Sequence, residues 1–109
     1  MSLSRRMRAE TMRSIAFGSI GAGFTAIGSS YSHPISKIFI NNVTDADLIF
    51  SHDGTNNHFY LPTEGMLVLD ISYDGADRVF FSQGESLYVK QSGVPSTGGV
   101  YVTVYYIEE

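Results

Sequence analysis

The chain has 109 residues, enough for one domain of roughly 100–150 residues and too few for two. It has no cysteine, which excludes disulfide staples, thiolate nucleophiles and thiolate metal ligands. The net charge of −4 hides an uneven distribution: residues 1–34 carry Arg5, Arg6, Arg8 and Arg13 against Glu10 alone, a net +3, whereas residues 35–109 carry Lys37, Arg78 and Lys90 against ten acids, a net −7.

In chain order, Ser4–Ser14 has the makings of a short helix. Ser4 serves as cap and Leu3, Met7 and Met12 form a weak apolar side, although a helix under about 12 residues is marginal without tertiary contacts. The uncharged stretch that follows imitates the apolar region of a signal peptide, but Glu10 interrupts the basic run before it. Gly18, Gly21, Gly23, Gly28 and four serines among residues 14–30 also set it apart from a membrane span of about 20 predominantly apolar residues. Its large apolar residues, Ile15, Phe17, Ile20, Phe24 and Ile27, fit parts of both a strand and a helix pattern. Because glycine-rich chain loses much entropy on ordering, this segment is expected to order only against another protein surface.

His33-Pro34 marks a boundary, since proline fixes its own φ and drives the preceding residue to an extended conformation. The expectation is therefore an assembly arm over 1–34 and a β domain over 35–109. Ile35–Asn41 alternates, with Ile38 and Ile40 opposite Lys37 and Phe39. Leu48–His52 and His58–Leu61 flank the strong turn Asp53-Gly54-Thr55-Asn56-Asn57. Gly65–Ser72 is apolar on both faces, Met66 and Val68 on one and Leu67, Leu69 and Ile71 on the other, and reads as buried on both sides. Arg78–Ser82, Leu87–Gln91 and Val100–Ile107 complete about seven short strands, which predict an all-β antiparallel sandwich or jelly-roll-like barrel. In the last strand Val100, Val102 and Val104 oppose Tyr101, Thr103 and Tyr105.

Few residues carry a chemical signature. Gly21-Ala22-Gly23-Phe24-Thr25-Ala26 matches a dinucleotide fingerprint, with Asp45 near the ribose-binding spacing, but no strand–helix–strand context surrounds it. His33, His52 and His58 lack metal-ligand spacing, and Asn42-Val43-Thr44 is a formal glycosylation acceptor. No nucleophile elbow is present, so the reading is of a non-enzymatic chain without catalytic, cofactor or metal sites. Two patches remain as candidate contacts. Arg5, Arg6, Arg8 and Arg13, with Ile15, Phe17, Ile20 and Phe24, are expected to hold acidic and apolar surfaces of neighbouring subunits. Asp53, Asn56 and Asn57, with Tyr101 and Tyr105, form a candidate ligand or partner contact, including the alternative of stacked sugars. Nucleic acid is the less favoured target of the arm, because the acidic body repels it.

Four blocks, Arg8–Ile20, His33-Pro34, Asn41–Thr55 and Gly99–Tyr105, resemble in this order a family of small virion structural proteins of tailed bacteriophages. The resemblance spans nearly the whole chain and implies a place in the virion rather than a membrane. It implies a head–tail connector or tail component, or alternatively a capsid decoration protein. The partners it implies are portal, connector, tail or capsid subunits and further copies of the same chain.

Overall fold

The computed structural model describes residues 6–70 and 81–108, and it is all-β. Its strands are β1 (Arg6–Ala9), β2 (Arg13–Ala16), β3 (Thr25–Ala26), β4 (Lys37–Asn42), β5 (Leu48–Ser51), β6 (Phe59–Leu61), β7 (Met66–Asp70), β8 (Tyr88–Gln91) and β9 (Gly99–Glu108), with one short 3-10 turn at Phe17–Ser19. They form two antiparallel sheets. One has the order β1-β9-β4-β7, with β2 also on β9; the other has the order β3-β8-β5-β6. The expected strand over Arg78–Ser82 falls mostly outside the described residues, but Phe81 makes an isolated bridge to Ile35.

Alternation assigns the faces. On β4, Ile38, Ile40 and Asn42 point inward; on β9, Val100, Val102 and Val104 do the same. Ile38, Ile40, Val100, Val102 and Val104 meet Leu48, Phe50, Leu61 and Val89 of the second sheet to form the core. Each such side chain, fully buried, contributes about 1.5–3 kcal/mol.

The boundary expected at His33-Pro34 is not a boundary in the fold. Ile15, Ile20, Ile27 and Tyr31 belong to the same core as the later strands, so the segment orders against its own chain. The physical reason lies in β9, a ten-residue strand whose far edge would otherwise lack a partner. The N-terminal segment supplies one. Arg6–Ala9 pairs with Glu108–Tyr105 and Arg13–Ala16 with Val102–Gly99, which replaces the helix expected near Ser4–Ser14 by strand. Between them, Glu10, Thr11 and Met12 face only Val104 and Thr103, a β-bulge held by the Glu10 amide donating to Val104 O at 3.0 Å. Such bulges re-aim side chains and blunt sheet edges.

A buried polar pin closes the other end of the sandwich. Asn42, fully buried, donates from Nδ2 to Ala46 O, Leu61 O and Pro62 O and accepts at Oδ1 from the Thr44 amide and hydroxyl. The sequon asparagine is therefore engaged in the interior and is no acceptor in the folded chain. Beside it, Gly98 has φ +83, and a Cβ there would strike the Val43 carbonyl, so glycine is required where the 92–98 loop re-enters the sheet.

Candidate interaction surface

The outward face of the five-stranded sheet is defined by register. Tyr101, Asn41 and Met66 lie in one row, Thr103, Phe39 and Val68 in the next, and Tyr105, Lys37 and Asp70 in a third. Ile107 and Met7 extend it along the β1–β9 ribbon. Met66 (60% exposed), Val68 (45%) and Tyr101 (41%) are open to solvent, and because they share one face they make a patch. The charged residues described on this face are Lys37 and Asp70, which face each other at 3.9 Å. Lys37 Nζ also lies 5.4 Å from the Tyr105 ring centroid. Tyrosine, phenylalanine and methionine in excess with charge depleted is the composition of an interface core. The expectation that β7 is buried on both sides is thus half met: Leu67 and Leu69 pack on the core, while Met66 and Val68 face out.

The arginines behave otherwise. Arg5 lies outside the described residues. Arg6 and Arg8 are exposed on β1, but both reach Glu108 Oε1, at 3.4 and 2.7 Å. Strand pairing therefore sets the chain's own Glu108 beside Arg6 and Arg8. Arg13, expected to grip a neighbour, is buried in its own chain. The bulge turns it inward, where it pairs with the buried Glu10 at 2.7 Å and donates to Ser29 O, Ser30 O and Thr11 O. Its guanidinium lies 4.7 Å from the Tyr31 ring centroid. Gly28, at φ +70, lets the 28–30 loop approach, because a Cβ would come within 2.9 Å of Arg13 Cγ.

Glu10 also accepts from the Ser32 amide and lies 2.7 Å from His33 Nδ1, whose ring stacks on Tyr106. Burial would push the Glu10 carboxyl up, but the bonds from His33, Arg13 and Ser32 outweigh it and hold it below its ordinary value. A cleft of about 510 Å³ opens beside this cluster. Both Glu10 oxygens are already engaged within the protein, so the cluster serves as a knot tying the bulged edge strand to the 28–33 loop. Ile15 and Ile20 are core residues, Phe17 is on the 3-10 turn at the surface, and Phe24 sits beneath Lys90 Nζ at 4.6 Å. Of the eight residues expected to contact subunits, Arg6, Arg8, Phe17 and Phe24 keep any exposed surface among those described.

The second candidate patch is not one site. Tyr101 and Tyr105 are on the outer face of the first sheet, whereas Asp53, Asn56 and Asn57 are on the β5–β6 loop of the second. Asp53 is occupied in folding that loop: it accepts from the Asn56 and Thr55 amides, the Asn56 side chain and the Ser51 hydroxyl, which hold its carboxyl far below the usual range. Asn57 borders a shallow groove with Ile49, His58, Phe59 and Tyr60. His52 and His58 meet with ring centroids 5.2 Å apart, and the His52 amide donates to His58 Nδ1 at 2.9 Å. Among the described residues, no three His, Asp or Glu side chains converge as a metal-binding group, and no helix is long and apolar enough to cross a membrane.

These features define an antiparallel β-sandwich with one aromatic face whose described charges, Lys37 and Asp70, face each other. No protein-family model, curated protein or solved structure matches the chain.

Proposed function

We propose that this chain is a non-enzymatic structural subunit of a tailed-bacteriophage particle, a head–tail connector or tail component, that takes its place through the outer face of the five-stranded sheet. The particle assignment rests on the resemblance of the sequence blocks. The contact assignment rests on one observation: Phe39, Met66, Val68, Tyr101 and Tyr105 share a face whose charged residues, Lys37 and Asp70, face each other. An exposed aromatic and apolar face nearly free of charge gains by being covered.

Capsid decoration is the alternative position. With residues 13–31 folded into their own chain, an arm ordered by neighbours no longer favours the connector over the shell exterior. Mass spectrometry of particles purified from the genome that encodes the chain is expected to find it at fixed stoichiometry, with immunogold labelling separating the tail junction from the shell. Particles that lack the chain would overturn the proposal. Tyr101→Arg is expected to fold normally and to reduce incorporation.

A further inference from the structure

We infer that the occupant of this face is a second copy of the chain, packed sheet on sheet about a two-fold axis. The inference rests on reading the face as an assembly surface and goes on to name its partner. Charge is the first reason. The rest of an acidic chain repels its own copies, but on this face Lys37 and Asp70 neutralise each other at 3.9 Å, so a copy can approach without burying an unpaired charge.

Register is the second reason. A two-fold axis running across the strands at the Phe39 row sets Phe39 against its own copy, Val68 against Val68, and Tyr101 against Tyr105. The same operation sets Lys37 opposite Asn41 rather than another lysine. Identical twisted sheets pack in aligned fashion about 30° apart, with their side chains interdigitating, and an isologous contact of this kind closes at two subunits.

Area is the third reason. The face spans four strands at about 4.8 Å spacing and roughly five residues at about 3.3 Å, plus the ribbon, on the order of 500 Å². Two copies together bury about 1,000 Å², the lower bound for a specific interface. Interfaces of this size include weak, transient associations.

Sedimentation equilibrium of the full chain from about 1 to 200 µM is expected to show a monomer–dimer equilibrium at the low-area end of specific interfaces. Phe39→Asp, checked for unchanged circular dichroism and cooperative melting, should weaken the dimer by about 30-fold or more, the effect of losing a central contact. Tyr101→Arg should do the same, while Thr55→Ala, on the other sheet, should change nothing. Raising sodium chloride to 0.5 M should leave the dimer intact, since no charge pair joins the copies. A chain that stays monomeric across this range, a dimer indifferent to both face substitutions, or one dissolved by salt would each overturn the inference. Normal incorporation into particles by a monomeric chain would leave the proposed function standing and reject the dimer alone.

Discussion

The bulged N-terminal edge and the outer face of the same sheet make opposite use of their residues. At the edge, Arg13 and Glu10, ionic side chains of the kind normally left in water, are buried and joined at 2.7 Å. On the outer face, Met66, Val68 and Tyr101, which normally seek the interior, are open to solvent. The difference teaches that residue type alone does not report direction. A bulge can turn a charge inward where carbonyls await it, and a strand with two apolar faces can have only one covered by its own fold.

The contrast is broken most severely by removing the edge. A chain lacking residues 1–30 loses Ile15, Ile20 and Ile27 from the core and β1 and β2, which cover one edge of β9, and it is expected to show neither a β-type circular dichroism spectrum nor a cooperative melt. Next, Arg13→Met leaves Glu10 with only His33 and the Ser32 amide and takes the donor from the Ser29 and Ser30 carbonyls, for an expected loss of about 1–3 kcal/mol in urea unfolding. A loss under about 1 kcal/mol would show that the pair is not the knot described. Asn42→Ala removes the acceptor of the buried Thr44 amide and a donor from the Ala46, Leu61 and Pro62 carbonyls and should cost about 1–3 kcal/mol by the same measurement.

Acidification probes the interior more gently. Burial and the neighbouring His58 lower the pKa of His52, outweighing Glu85 and Asp53, so the unfolded chain takes up its proton first. Stability from this group is complete above about pH 6.5 and declines below it by less than about 1 kcal/mol. Glu10, also held low, adds a further loss below about pH 4.5. His52→Gln should remove the first decline and leave the second in thermal melts taken from pH 8 to 3. Smallest of all, Val68→Thr on the open face should change monomer stability by about 0.5 kcal/mol or less, whereas the same change at the buried Val102 should cost more than 1 kcal/mol.

Much of the fold was legible from local pattern. The alternation of Ile38 and Ile40 against Lys37 and Phe39, and of Val100, Val102 and Val104 against Tyr101, Thr103 and Tyr105, separates the two faces that β4 and β9 present, because a strand's side chains alternate with a period of two. The candidate site was legible only in part. Tyr101 and Tyr105 stand out in the sequence, but nothing local joins Phe39 of β4 or Met66 and Val68 of β7 to them, since the three strands are distant in sequence. Their one local signal was the double-sided apolar character of β7.

What the sequence by itself determined is the class of fold and the sidedness of its regular strands, both of which follow from alternation and turn chemistry. Only the tertiary structure decided where the first third of the chain goes. Glycine-rich chain has no strong preference of its own, and its path was set by the unpaired edge of β9, by the Glu10 carboxylate waiting for Arg13, and by the carbonyls of Ser29 and Ser30 that complete the guanidinium's hydrogen bonds.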